Sequence, residues 1–328
     1  MSDRDSRDFL YWSTYPLDRS RRFFLHRFRR FLSPLMSNRS LRVCLAACFA
    51  IPLILIFSWN LPLWQLLLGP ILLGIPHLIG DIRYLVIHKG LHKLSWFWWG
   101  VVIPFAMYML NPQPIFAMLG VCVAAYHSQR TNRGLVLSLA FGGLYLSYIE
   151  PYLFVFSLLH AHNIIALWLW WTWRKNRKFW ESIPLLLCAI SVVCLCFIGP
   201  ASWAFSFAPP ELPHSYFIQN IAPIQLHSYA QELILSYAFL QSVHYLVWLR
   251  LIPEDARPQD APRSFHKSMK YLQRDFGTLI LYGSLFSMLL LGFWTVYSPK
   301  EARMGYLTII SFHGFLELAF LCYHKKQS

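Results

Sequence analysis

The chain has 328 residues, of which 56% are hydrophobic and 13% are charged, whereas soluble domains carry about 25% charged residues. A mean hydropathy of +0.42, with the apolar residues gathered in long runs, predicts a polytopic membrane protein and argues against a soluble domain. The net charge of +14 lies in short segments between those runs, which indicates contact with membrane lipids and argues against nucleic acid as a partner.

The first 40 residues are predicted to form a basic cytoplasmic arm. Within this arm the stretch Phe23–Leu32 reads FFLHRFRRFL and interleaves phenylalanine, leucine and arginine. Such a pattern is typical of a short amphipathic helix that lies on a membrane surface.

Residues 41–324 are predicted to form a single all-α domain, a polytopic integral membrane bundle of about ten transmembrane helices. The predicted spans are 41–59, 61–80, 95–111, 114–128, 134–149, 151–173, 181–199, 229–249, 275–297 and 304–323. Segment 200–228 is predicted to be an outer cap and segment 250–274 a cytoplasmic loop. With a cytoplasmic N-terminus, every lysine and arginine except Lys300 and Arg303 falls in or next to a cytoplasmic segment. This distribution predicts an integral protein of a bacterial inner membrane with both termini in the cytoplasm.

The second span carries a polar stripe into the membrane. At helical spacing His77, Asp81, Tyr84, His88 and His92 share one face. Lipid does not tolerate such a stripe, so it should face a protein interior or an aqueous cavity. Because His88 and His92 continue beyond the span, they are predicted to form a separate proton-relay or surface feature, or to have no function.

Other spans also supply histidines at middle-to-inner depth. His160 and His162 lie near the middle of the sixth span, His244 lies in the eighth and His313 in the tenth, while His127 ends the fourth at the inner face. His160 and His162 point about 200° apart on a helix. His160 is favoured as a ligand because Asn163 shares its face.

These depths predict a shared metal site. The predicted ligands are His77, His160, His244 and His313. A set rich in imidazole suits Fe(II), with Zn and Cu as alternatives, rather than Mg or Ca. Polar groups three or four residues from a ligand can orient its ring. Two such groups, Asp81 and Glu317, are predicted to have catalytic roles. Two others, Asn163 and Gln241, are predicted to form a second layer that contacts the histidine ligands without binding the metal. Weaker candidates are His127, His162, His88 and His92.

The motif GIPHLIGD at 74–81 resembles the PHGxxD signature of the bacterial β-carotene 15,15′-dioxygenase family of the Brp/Blh type. Pro76, His77 and Asp81 match the signature, while Leu78 stands where that family usually has glycine. The resemblance implies a polytopic membrane enzyme that uses a histidine-bound non-haem iron and O₂ to cleave β-carotene into two retinals. The difference at Leu78 bears on the substrate more than on the metal.

Three functions are compatible with this pattern. The first is a membrane non-haem iron enzyme that acts on a lipophilic substrate with O₂, by carotenoid cleavage, desaturation or hydroxylation. The second is a proton-coupled transporter, which the helix-interrupting Pro70, Gly74 and Pro76 would suit. The third is a non-catalytic membrane protein whose histidines join helices through hydrogen bonds.

Overall fold

The computed structural model describes residues 3–128, 131–174 and 178–323. Within those ranges the regular structure is helical and contains no strand. The prediction of an all-α helical bundle is therefore confirmed.

The N-terminal arm is helical and packs against the rest of the chain. It contains α1 (Asp3–Arg27) and α2 (Arg29–Ser37). Asp18 in α1 accepts backbone hydrogen bonds from Phe265 at 2.7 Å and His266 at 3.1 Å. These amides are unpaired donors at the start of a later helix, so α1 caps that helix and is fixed by it.

The remaining helices follow the predicted spans closely. They are α3 (Arg39–Asn60), α4 (Pro62–Asp81), α5 (Ser95–Phe97), α6 (Ile103–Leu110), α7 (Pro114–Tyr126), α8 (Arg133–Ile149), α9 (Pro151–Trp173), α10 (Ile183–Ile198), α11 (His214–Ile221), α12 (Ala230–Leu246), α13 (Ile252–Asp255), α14 (Phe265–Tyr297), α15 (Pro299–Ile310) and α16 (His313–Tyr323). Turns of π-helix follow α4, α5 and α12, at Ile82–Ile87, Trp98–Val102 and Val247–Leu251.

Six helical runs in the described part of the chain are long and apolar enough to cross a bilayer. They are Arg39–Asn60, Pro62–Ile87, Pro151–Trp173, Phe179–Ile198, Phe265–Tyr297 and Pro299–Tyr323. Shorter apolar helices occupy Ser95–Leu110, Pro114–Tyr126 and Arg133–Ile149. These lengths are those of a membrane helical bundle.

Helix α12 is the central element of the bundle. It packs against α3, α4, α9 and α10, and most of its side chains are buried on every side of the helix. A helix enclosed by protein can carry polar residues that a lipid-facing helix cannot. This position explains how Gln241 and His244 fit into an otherwise apolar core.

Two predicted helices are interrupted in the structure. Helix α4 ends at Asp81 and continues as a π-helix, and Gly90 then turns the chain with φ +74°. The predicted stripe is thereby broken, so His92 does not share a helical face with His77. The predicted span 304–323 is likewise split between α15 and α16 at residues 311–312. The predicted loop 250–274 contains α13 and the first turns of α14, which begins at Phe265.

The bundle has one ionic end and one capped end. At the ionic end, Arg39 of α3 pairs with Asp260 at 3.0 Å, and Arg174 after α9 pairs with Asp255 at 3.2 Å. At the capped end, segment 200–228 covers the bundle, and Tyr216 accepts a hydrogen bond from Arg303 at 3.1 Å. The arm, Arg174 with Glu181, and segment 250–275 therefore meet on one side of the molecule.

Candidate metal centre

Four helices bring four histidine rings together in the core. The rings belong to His77 of α4, His162 of α9, His244 of α12 and His313 of α16. The ring centroid of His77 lies 5.2 Å from that of His244 and 5.1 Å from that of His313. His162 lies 5.1 Å from His244 and 5.0 Å from His313. All but His313 are buried, and His313 is partly exposed.

Backbone carbonyls fix the orientation of three of these rings. The Nδ1 contacts are His77 with Gly74 at 2.6 Å, His162 with Leu158 at 3.1 Å, and His313 with Ile310 at 2.7 Å. A carbonyl oxygen can only accept, so Nδ1 carries the proton in each ring. The lone pair then lies on Nε2, in the neutral form that binds metals. A histidine ligand is commonly fixed in this way by its second nitrogen.

The fourth ring, that of His244, differs from the other three in its contacts. Neither ring nitrogen of His244 has a hydrogen-bond partner among the described residues, and Nε2 of His77 also lacks one. The ligand atoms of His77, His244 and His313 all lie within 4.8 Å of one another. Ligands that share one ion at about 2.1 Å stand about 3.4 Å apart in tetrahedral geometry. A small inward movement of the rings would therefore bring them into coordination distance.

Two buried carboxylates adjoin the histidines. Asp81 and Glu317 are both 0% exposed. Oδ2 of Asp81 lies 3.7 Å from Nε2 of His77, and Oε1 of Glu317 lies 3.6 Å from Nε2 of His244. Asp81, His244 and Glu317 form a second group whose ligand atoms lie within 4.8 Å of one another. His244 is common to both groups.

These carboxylates are incompletely satisfied by protein groups. Within the described residues neither oxygen of Asp81 has a hydrogen-bond partner, and Oε2 of Glu317 has none. Oε1 of Glu317 accepts a hydrogen bond from the indole of Trp248 at 2.8 Å. Burying such groups costs several kcal/mol per ion unless a cation or a proton compensates them. The donor set and its unpaired atoms therefore fit a bound metal cation.

Local sequence features allow this close packing. The backbone of Gly74 lies against the side chain of Tyr306, whose hydroxyl occupies the space that a Cβ on residue 74 would need. π-helical turns begin directly after Asp81 and three residues after His244. Such turns are rare and are frequently found at functional sites.

A cavity of about 250 Å³ reaches the histidines from the side of the capped end. His162, His244 and His313 line one end of this cavity, and Gln241 lies along its wall. Most of its wall area is apolar. The site is thus accessible to a molecule with an apolar body.

The structure places His162, and not His160, beside the other three histidines. The ring of His160 instead lies 4.6 Å from Phe156 and 5.2 Å from Tyr237, with Nε2 3.4 Å from the carbonyl of Ile221. The two rings point to opposite sides of α9, as their 200° separation requires. His160 was favoured because Asn163 lies on the same face of α9. The sequence of α9 does not tell which helices pack against that face.

The predicted second-layer amides bond elsewhere. Asn163 donates to the carbonyl of Leu159 at 3.2 Å, and Gln241 donates to the hydroxyl of Tyr245 at 3.2 Å. Two residues at the site were not predicted. Trp248 donates a hydrogen bond to Glu317, and the ring of Tyr245 lies 4.8 Å from that of His77. Trp248 lies four residues after His244, a spacing that places both side chains on one side of the helix.

Of the four weaker candidates, His162 belongs to the cluster, whereas His88, His92 and His127 lie away from it. His88 contacts Asp275 at 3.2 Å, a carboxylate that also pairs with Arg83 at 2.6 Å. Burial lowers the pKa of His88, although the hydrogen bond that His88 donates to Asp275 opposes this effect. His127 stacks on Trp96 with a centroid distance of 4.3 Å. The carbonyl of His92 accepts a hydrogen bond from a neighbouring indole.

Compared with known proteins, the chain matches no family model, no curated protein and no solved structure. Its function must therefore be inferred from the geometry of the site.

Proposed function

We propose that this protein is a membrane-embedded oxygenase with a histidine-ligated non-haem iron that acts on a lipophilic substrate. The observation that carries the proposal is the convergence of His77, His244 and His313, with unpaired ligand atoms, beside the buried carboxylates of Asp81 and Glu317. The imidazole of His162 lies beside those of His244 and His313. Buried ionisable groups in a membrane are costly, which favours a functional role.

The donor set supports the choice of metal. Neutral imidazoles with one or two carboxylates suit Fe(II), Zn and Cu better than Mg or Ca. The resemblance of residues 74–81 to the carotenoid dioxygenase signature favours iron. Held by His77, His244 and His313, iron(II) would supply the chemistry of O₂ activation at this site.

The protein groups around the site have separate roles in this proposal. Gly74 and Ile310 hold the rings of His77 and His313 in the metal-binding tautomer through their carbonyls. Trp248 holds one oxygen of Glu317 by donating a hydrogen bond. The apolar cavity excludes water and admits a chain-like substrate from the membrane. Oxidative cleavage of a carotenoid to retinal is the specific reaction that the resemblance favours.

We also propose ten membrane spans, with both termini on the cytoplasmic side of a bacterial inner membrane. The arm, Arg174 and segment 250–275, which hold many of the basic residues, lie together at the ionic end of the bundle. Lys300 and Arg303 lie toward the capped end. This separation supports the orientation that the positive-inside rule predicts.

Metal analysis of the detergent-purified protein tests the proposal. We expect about one iron per chain, because a site that binds with folding retains its ion through mild purification. His77→Ala and His244→Ala should each remove most of the metal, whereas the exposed His227 offers a matched control in His227→Ala. Fewer than about 0.2 ions of iron, zinc or copper per chain in the unmodified protein would contradict the site.

The substrate class needs its own measurement. Cells that accumulate β-carotene and express the protein should form retinal, detected by chromatography, and His244→Ala should abolish that product. Full iron occupancy without retinal would reject carotenoid cleavage while leaving the metal site intact. Metal-free protein that shows His77-dependent proton flux in proteoliposomes would instead favour a transporter.

A further inference from the structure

The cavity beside the histidines has a second polar end, at Arg303. This arginine lies in α15 and lines the cavity together with Asn220, while His162, His244 and His313 line the opposite end. Along α15 the rise from Arg303 to Ile310 is about 10 Å. The carbonyl of Ile310 contacts His313 at 2.7 Å. The cavity is therefore lined by the histidines of the candidate metal centre and by a guanidinium whose backbone lies about two helical turns away along α15.

Arg303 is buried but lacks an anionic partner. It is 4% exposed. Its guanidinium donates to the carbonyl of Leu66 at 3.3 Å and to the hydroxyl of Tyr216 at 3.1 Å, which are both neutral acceptors. In the described part of the chain, no carboxylate oxygen lies within ion-pair distance of it. Buried charges in proteins are normally paired.

The aromatic faces around Arg303 offset only part of this cost. Its Cζ lies 5.6 Å from the ring centroid of Tyr216 and 5.3 Å from that of Phe217. Cation–π contacts of this kind contribute less than an ion pair with a carboxylate. The other arginines that the structure describes in buried positions, Arg42, Arg83 and Arg174, each contact a carboxylate at 3.0 Å or less. Arg303 is thus an exception that a ligand would explain.

We propose that Arg303 binds the carboxylate of a long-chain acid whose apolar body extends through the cavity to the histidines. The substrate class is then a polyene that carries a carboxylate at one end, whereas uncharged β-carotene would leave Arg303 unpaired. Guanidinium groups bind carboxylates in a bidentate geometry that a neutral end group cannot match. Leu159, Leu307 and Ile310 provide apolar contacts along the wall. The identity of the reacting end rests on the proposed function, whereas the binding of the acidic end does not.

Binding of a fluorescent polyene acid tests this inference. The probes are cis-parinaric acid and its methyl ester, titrated into the purified full-length protein, with empty micelles as the blank. The unmodified protein should bind the acid at least about tenfold more tightly than the ester, since only the acid can form a charge-assisted hydrogen bond with the guanidinium. Arg303→Gln should remove this preference by weakening acid binding only. Arg303→Lys should restore part of it.

The exposed Lys300 provides a matched control, because Lys300→Gln removes a nearby positive charge without reaching the cavity. This variant should bind both probes as the unmodified protein does. Equal affinity of the unmodified protein for acid and ester would overturn the inference, even if Arg303→Gln fails to fold. An equal loss of acid binding in Lys300→Gln would also overturn it.

Metal content separates this inference from the proposed function. Arg303→Gln should retain the metal content of the unmodified protein, because Arg303 does not contact the histidines. Protein without metal that still prefers the acid in an Arg303-dependent manner would reject the metal centre and keep the acid site. Protein that binds metal but does not prefer the acid over the ester would reject the acid site and keep the metal centre.

Discussion

His160 and His162 are close in sequence but differ in environment, which leads to a residue-scale prediction. His162 is buried against His244 and His313, whereas His160 contacts Phe156 and Tyr237. His162→Ala should therefore weaken metal binding by about tenfold or more, a loss typical of groups that surround a metal. His160→Ala should leave metal affinity unchanged. Competition with a chromogenic chelator measures both values, and equal losses in the two variants would contradict the assignment.

The sequence contains one residue-scale clue to this difference. His162 packs against the backbone of Gly314, where a Cβ would lie 3.5 Å from its ring. Helix α16 thus lies against α9 at the level of the histidines, so close that an added methyl group would already be in van der Waals contact. A single sequence records the glycine but not its neighbour, so the contact could not have been predicted from it.

At the scale of elements, α4 depends on a glycine for its packing against α15. A Cβ on residue 74 would overlap the ring and hydroxyl of Tyr306, which is buried. Gly74→Ala should therefore cost about 1–3 kcal/mol, the usual effect of overpacking, and should displace His77, whose Nδ1 bonds the carbonyl of residue 74. We expect a lower Tm and a lower metal content in detergent.

Two further variants make this prediction specific. Gly142→Ala in α8 adds the same methyl group into open space, and should leave both quantities unchanged or raise the Tm slightly. Adding Tyr306→Ala to Gly74→Ala removes the overlapping ring and should recover part of the lost metal. A Gly74→Ala protein with normal stability and normal metal content would show that α4 and α15 do not pack this closely.

Helical elements were easier to predict than their interruptions. Long apolar runs bounded by charged or proline-containing segments located the helices to within a few residues for most spans. The π-turn after Asp81 and the break at 311–312 have no comparable signal. The hydrogen bond from His313 to the carbonyl of Ile310 spans the break at 311–312. A periodicity argument assumes a continuous helix, so the extended stripe to His92 was not recovered.

At the scale of the whole molecule, the sequence predicted the components of the site but not their assembly. Depth estimates brought His77, His244 and His313 to a similar level, and the buried acids Asp81 and Glu317 were placed beside them. The central position of α12 could not be read from its composition, because its enclosure depends on the helices that surround it. Distance between spans is a tertiary property that a single sequence does not encode locally.

The ionic end gives a prediction about the stability of the whole bundle. Buried Glu254 accepts from Arg42 of α3 at 2.8 Å and pairs with Arg250 at 3.1 Å and Arg257 at 2.7 Å. Glu254 thereby joins the start of α3 to the segment that precedes α14. Glu254→Gln leaves these guanidinium groups without a carboxylate, which should destabilise the fold by about 3 kcal/mol, as is usual when one partner of a buried pair is lost. Thermal unfolding in detergent should show a clearly lower Tm, whereas the exposed Glu301 should tolerate Glu301→Gln within about 0.5 kcal/mol. Equal Tm values for the two variants would mean that the bundle does not depend on this cluster, and that apolar packing around α12 alone fixes the arrangement of the helices.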